Sequence, residues 1–347
     1  MITITEYLKE IFEKFEEHCN EGTESMWKLK FCMEQLKKNN PKLHSDGTSI
    51  YSNPTVQQLY LLKYAYTYGF EYLSMCNEFI EDFADKDEIS VVSLGCGTML
   101  DYWALACMLD ERKISRPVVK YLGIDAIRWN HSLEIEARDR DIIKFSQESF
   151  ENFFEREDNE FNAHDVYFFP KSISEFPSNN MELMLNRLSE IEKDTIYFCI
   201  SLRKNSRVAN DDVKKVHKII DKLKQEKTGF RVKDVKCITD TEKTKDELKE
   251  KGLHVEDDKF IRLSKDKNIS TTDVAKKVGG YPQISQDDPI IRYIQNLNAK
   301  CVHNSLEKDK LCEGCKEGKE HPCEMYKEQT MKNTTNICDL IIKFERR

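Results

Sequence analysis

Two glycines one residue apart, Gly95 and Gly97, and an acid further along, Asp125, have the types and spacing to hold a sugar. The glycines close a β-branched apolar run, Ile89-Ser-Val-Val-Ser-Leu94, and precede an apolar segment, Trp103–Leu109. That order reads as buried strand, tight turn, helix. Residues without a Cβ turn the chain steeply and let a ligand approach the backbone. At the carboxyl end of a strand and the start of a helix, free N–H groups face that ligand. A second run, Val118–Ile124, ends in Asp125, 28 residues after Gly97. An ionised carboxylate only accepts hydrogen bonds, so it suits the two hydroxyls of a ribose and opposes a phosphorylated one. Strand, turn, helix, strand and acid together point to an adenosine-bearing cofactor.

The same residues exclude neighbouring chemistries. A nicotinamide dinucleotide needs a third glycine, so that helix and strand pack closely around a pyrophosphate. Here the turn runs Gly95-Cys-Gly97-Thr-Met-Leu100, and Asp101 follows in the first helical turn, where it would repel a pyrophosphate. No Gly-Lys-Ser/Thr occurs, so a P-loop is absent.

Two further groups have chemical potential. After a fourth strand, Asp165–Phe169, comes Pro170-Lys-Ser-Ile-Ser-Glu175, which offers Lys171, Ser172 and Glu175 for substrate contact or proton handling. Cys301, Cys312, Cys315 and Cys323 lie within 23 residues and include a Cys-x2-Cys knuckle, with His303 and His321 as alternates. Four thiolates make a tetrahedral zinc set, structural because no position stays open, and an iron–sulfur cluster takes the same four. Zinc is the expectation, since Lys- and Gly-rich loops cannot build a core of their own.

The elements that position these groups alternate along the chain. Strands are predicted at 89–94, 118–124, 142–145, 165–169, 194–200, 230–239 and 337–344. Helices are predicted at 101–111, around 131–139, and at 149–156, 180–191 and 210–226. Runs this apolar are buried on both faces, so the sheet is expected to be mostly parallel. Apolar positions at helical spacing fill 5–36, and a Leu- and Tyr-rich segment, 57–83, follows a helix start at Asn53-Pro54. The chain divides into an N-terminal helical region (1–86), an α/β core (87–240), a charged insertion with the knuckle at 301–323 (241–336), and a final strand (337–347) that returns to the core sheet.

The 347 residues are 39% hydrophobic and 33% charged, clumped enough for a large core. A net charge of −8 opposes wholesale wrapping of nucleic acid. A local basic group, Arg203, Lys204, Arg207, Lys214 and Lys215, still offers phosphate contacts or a solubilising surface. No run reaches the ~20 apolar residues of a membrane span, and the N-terminus turns acidic at once. The expectation is a cytoplasmic protein with no membrane partner; the oligomeric state has no signature.

Val91-Val-Ser-Leu-Gly95-Cys-Gly97-Thr resembles the first motif of the class I S-adenosylmethionine-dependent methyltransferases, and Tyr121-Leu-Gly-Ile-Asp125 resembles their second. That family usually has another glycine where this chain has Met99. The resemblance covers about half the chain. It implies a mostly parallel seven-stranded Rossmann-like sheet, here with an N-terminal helical region and a metal-stapled insertion before the last strand. It also implies S-adenosylmethionine as cofactor. Gly95, Cys96 and Gly97 would face its methionine part, and Asp101 its ammonium through water. Asp125 would hold the ribose, and Ala126 and Ile127 would flank the adenine under Arg128 or Trp129. Gln147 would bond the adenine amine or cap a helix, and Phe169 would complete the pocket.

The segment Phe168–Glu175 has one proline, Pro170, but lacks the acidic or amide head and the aromatic tail of the amino-methyltransferases of bases, and lacks the cysteine of cytosine C5 chemistry. It is similar to the Ser-x-x-Glu ending of ribosome-associated members of the family. The expected activity is therefore methyl transfer to an oxygen or nitrogen of a macromolecule, RNA or a ribonucleoprotein before protein. The alternatives are a catalytically silent binding or assembly module and a small-molecule methyltransferase.

Overall fold

The computed structural model describes Glu10, Ile11, Lys14, Arg138 and Asp158, and the stretches 49–130, 140–156, 160–202, 206–225, 227–239 and 338–347. Most of 5–36, the stretch 131–137 and the insertion 241–336 lie outside the described residues.

Seven strands form one sheet: β1 Glu88–Leu94, β2 Val118–Asp125, β3 Ile142–Gln147, β4 Val166–Phe169, β5 Thr195–Ser201, β6 Phe230–Thr239 and β7 Cys338–Arg346. Their order is β3-β2-β1-β4-β5-β7-β6. The first five are parallel, and β7 runs antiparallel between β5 and β6. The central strands are β-branched and aromatic and are buried along nearly their whole length, as expected where helices cover both faces. β3 is an edge strand and stays half-exposed.

The helices are α1 Pro54–Asn77, α2 Leu100–Glu111, α3 Phe150–Glu155, α4 Ser178–Arg187 and α5 Ser206–Leu223. Asn53 caps α1, its Oδ1 accepting from Val56 N at 3.2 Å, and Pro54 takes the first turn, where no N–H is missed. Ser149 caps α3 in the same way, through Asn152 N. α2 is apolar all round, and Leu100 to Leu109 are buried, because it is packed between the sheet and α1.

The faces of β4 separate by strand alternation. Tyr167 and Phe169 join an aromatic core with Phe161, Phe176 and Phe198. Phe168 meets Tyr72 and Phe79 on the α1 side.

The metal staple is a correction. Among the described residues no group of three or more His, Cys, Asp or Glu is disposed to hold a metal ion. The described cysteines, Cys76, Cys96, Cys107, Cys199 and Cys237, are free and buried. Cys301, Cys312, Cys315, Cys323, His303 and His321 lie outside the described residues. β7 is held by ladders to β5 and β6 and by burial of Leu340, Ile342 and Phe344. The fold is a mixed, mostly parallel sheet with a helical N-terminal side, and the zinc expectation is withdrawn from it.

Candidate active site

The strand order reverses between β1 and β4, since the chain leaves β1 toward β2 on one side and reaches β4 on the other. A crevice opens outside the carboxyl ends of strands at such a point. The glycine turn ends β1, and Pro170 to Glu175 follow β4, so both sequence-predicted groups meet at the crevice.

Gly95 has φ +75° and Gly97 φ +50°, left-handed values that favour glycine. The reasons for the two glycines differ from simple ligand approach. A Cβ on Gly95 would lie 2.6 Å from Ser172 Cβ, so the segment after β4 presses directly on the turn. A Cβ on Gly97 would meet the Trp129 ring at 3.8 Å. Met99, where the resemblance leads one to look for another glycine, is itself left-handed at φ 59°. The backbone demand therefore persists without the residue that meets it most cheaply; a non-glycine residue there costs roughly 1–2 kcal/mol. Cys96 sends its thiol beneath the turn against Gly123, where a Cβ would lie 2.7 Å from Sγ. That explains the glycine before Ile124-Asp125. Burial pushes the Cys96 thiol well above its ordinary range.

Asp125 faces the turn. Its Oδ2 accepts from Gly97 N and its Oδ1 from Ile127 N, both at 2.9 Å. The Trp129 indole also acts on this carboxylate as a hydrogen-bond donor. Burial pushes its carboxyl up to about 6, against the opposing pull of these two amides. Gln147 sits opposite Asp125 in the β2–β3 register and is exposed. Ala126 and Arg128 are exposed, while Trp129 is buried. Gln57 of α1 fixes this loop: its Nε2 donates to Tyr51 O and Arg128 O, and its Oε1 accepts from Asn130 N.

Two predicted contacts lie elsewhere. Asp101 is enclosed behind the turn, where its carboxylate accepts from the Tyr121 hydroxyl at 3.0 Å, and burial pushes it up to about 6. Phe169 lies in the aromatic core, fully buried.

After β4 the chain turns through Lys171, left-handed at φ 60°. Ser172 is buried and donates to Leu94 O. Glu175 closes a 3-10 turn, Ile173–Glu175, and is exposed. Its charge acts on both Asp125 and Tyr60. Lys171 reaches back to α1, ion-paired with Glu71 and donating to Leu202 O at 3.1 Å. Ser201, at the end of β5, donates to Glu71 Oε1 at 2.5 Å. Asp339, at the start of β7, is fully buried beside Glu71 and Ser201, with neither carboxyl oxygen in a well-formed hydrogen bond. Burial and the Glu71 charge hold it well above the usual carboxylate range. Sequence reasoning missed Gln57, Glu71, Ser201 and Asp339. The signal for Glu71 is an acid inside an otherwise aromatic and apolar helix; Asp339, alone in an apolar strand, is its counterpart.

A parallel five-strand order with a reversed strand slotted before the last, a bare turn at the switch point and an acid ending the next strand decide the fold. It is a class I S-adenosylmethionine-dependent methyltransferase-like fold. Within this methyltransferase-like fold the turn follows β1 and Asp125 ends β2.

No family profile matches the sequence, and no curated protein matches it. Several solved methyltransferases resemble the chain in structure. The plantazolicin methyltransferase BpumL, solved with SAH, is 10% identical over 97% of this chain and 100% of its own, with a TM-score of 0.39. A putative class I methyltransferase from Listeria monocytogenes is 14% identical, covering 68% of this chain and 82% of its own, at 0.39. The mitomycin 7-O-methyltransferase MmcR is 16% identical over 47% and 49%, at 0.32.

The expected RNA or ribonucleoprotein acceptor is a second correction. The acceptors named in these structures are plantazolicin and mitomycin, not RNA. Of the basic group, only Lys214 and Lys215 have described side chains. Arg203 and Lys204 lie outside the described residues, as does the Arg207 side chain. Lys214 pairs with Asp211, and Lys215 donates to the carbonyls of Ile173 and Ser174. Among the described residues no helix is long and apolar enough to cross a membrane.

Proposed function

We propose that this chain is an S-adenosylmethionine-dependent methyltransferase whose acceptor is a small molecule. The observation that carries the reading is the Asp125 carboxylate at the end of β2, bonded to Gly97 N and Ile127 N beside the bare turn at the switch point. That arrangement fits the two hydroxyls of an adenosine ribose. Bound there, the cofactor supplies a methyl group on a sulfonium that needs no further activation. The charge of the crevice supports a cationic donor, since Asp125 and Glu175 both face it.

Gly95 and Gly97 would line the methionine part, Ala126 and Ile127 the adenine, and Gln147 the adenine edge. Ser172, tied to Leu94 O and packed on Gly95, would set the distance between the turn and the acceptor side. Glu175 is the proposed proton acceptor: the acceptor's X–H proton passes to its carboxylate as the new X–C bond forms and the sulfur–carbon bond breaks. Lys171, held by Glu71, would position the acceptor. Alignment supplies most of the acceleration in a displacement of this kind.

A small acceptor is supported by α1. Its Gln57 touches the loop after β2, and its Glu71 meets the residues after β4 and at the end of β5, so it runs past the carboxyl ends of these strands. That encloses the acceptor side rather than leaving a broad surface. The test is calorimetric titration of S-adenosylmethionine and S-adenosylhomocysteine into the full chain and into Asp125→Ala. We expect binding by the native protein and at least a tenfold loss in the variant, about 1.4 kcal/mol. Affinity unchanged within twofold overturns the ribose assignment, and no binding by the native protein overturns the function.

A further inference from the structure

Resting on that reading, which places the methyl group at the glycine turn, we propose that the tyrosines of α1 form the acceptor wall and that the acceptor is a flat aromatic compound bearing a basic nitrogen.

Tyr60, Tyr64, Tyr68 and Tyr72 recur every four residues and form one stripe along α1. Successive ring centroids are 4.9, 5.2 and 6.2 Å apart, with Tyr64 and Tyr68 parallel within 4°. Tyr51 and Trp129 prolong the stripe to Gly97, since both lie within 6 Å of Tyr60 or of each other. At the other end Tyr72 is buried against Phe168, whereas Tyr60, Tyr64 and Tyr68 are only half-buried. Core packing explains Tyr72. Tyr60, Tyr64 and Tyr68 carry the stripe on past it toward Trp129.

The charge around the stripe selects the sign of the ligand. Glu175 acts on Tyr60, Glu71 acts on Tyr72, and Asp125 lies beyond Trp129. Lys171 stands beside them and is ion-paired with Glu71. The Lys171 ammonium lies 5.9 Å from the Tyr68 ring centroid, so the chain already places a cation against the negative face of this stripe. An anionic acceptor would meet carboxylates, and an aliphatic amine would forgo stacking. A flat ring with a basic nitrogen satisfies both the rings and the acids.

The test uses the full chain saturated with S-adenosylhomocysteine and three probes of similar size: tryptamine, indole-3-acetate and cyclohexylethylamine. Calorimetry is expected to give tryptamine at least tenfold tighter binding than either of the others. Tyr68→Leu should weaken tryptamine at least fivefold and Tyr68→Phe should restore it, with S-adenosylhomocysteine affinity unchanged in both. Tyr64→Leu repeats the test should Tyr68→Leu not fold, and the ranking of probes by the native protein needs no variant. Equal binding of the anion, no binding of tryptamine to the loaded protein, or indifference to both leucine variants overturns the proposal alone. Failure of S-adenosylhomocysteine to bind the native protein overturns the methyltransferase reading, and this proposal with it.

Discussion

The two sides of the crevice are built in opposite ways. The side under β1, β2 and β3 is assembled from neighbours: Gly95, Gly97, Asp125 and Gln147 come from about fifty residues of chain and are joined by main-chain amides. The side under β4, β5 and β7 is assembled from distance. Glu71 meets Lys171, Ser201 and Asp339, and the link is made by buried charge. The first side rests on backbone shape and tolerates little volume. The second rests on ion pairing and tolerates little change of charge.

The largest expected effect comes from breaking the second side. Lys171→Met leaves the Glu71 carboxylate buried without its cation, and urea denaturation should show a loss of about 3–5 kcal/mol. S-adenosylhomocysteine binding to the folded variant should change by less than threefold; a larger change would mean that the sides are not separate. Next comes the seam between them. Gly95→Ala adds a Cβ where Ser172 stands and keeps a left-handed φ, for a loss of about 2–3 kcal/mol. Ser172→Gly should recover part of that loss, and the double-mutant cycle measures how far the seam couples the two sides.

A smaller effect separates them by pH. Asp125 and Asp101 are both pushed up to about 6, from about 4 in an unfolded chain. The folded protein therefore holds more protons than the unfolded chain between these values, so stability falls as pH rises from about 4 to about 6. Affinity for S-adenosylhomocysteine should move the other way, rising severalfold as Asp125 ionises. Denaturation and calorimetry at pH 5 and pH 7.5 check both slopes, and Asp125→Asn should flatten the second. The smallest effect is a control away from the crevice. Lys113, after α2, is left-handed at φ 56° and exposed, so Lys113→Gly should stabilise by up to about 1 kcal/mol in the same denaturation assay.

The same contrast explains what could be read without coordinates. The turn, Asp125 and the strand before each were legible because a βα repeat writes its loop next to the apolar run that carries it. The apolar run at 337–344 became β7, Cys338–Arg346, which returns to the core sheet between β5 and β6. Asp101 was misjudged because an acid in the first helical turn is ambiguous: it faces a ligand or the strands, and only the Tyr121 hydroxyl distinguishes them. Phe169 was misjudged by one step of strand alternation. Glu71, Ser201 and Asp339 were illegible for a deeper reason. No local pattern joins positions separated by 130 residues or more, and a buried acid in an apolar run looks like an isolated exception until its partners are in view. The RNA expectation came from the short Ser-x-x-Glu similarity after β4, a four-residue pattern that a 3-10 turn at the end of a strand explains by itself.

β6 touches the rest of the sheet only through β7, because β7 occupies the slot beside β5. The strand that is later in sequence must therefore be seated before the earlier one can be zipped into place. With nearly a hundred residues between them, closing that loop is a slow, non-local event. Refolding should show the side under β1, β2 and β3 formed well before the side under β4 and β5 is complete, since Asp339 arrives with β7, whose partner β5 lies far earlier in the chain.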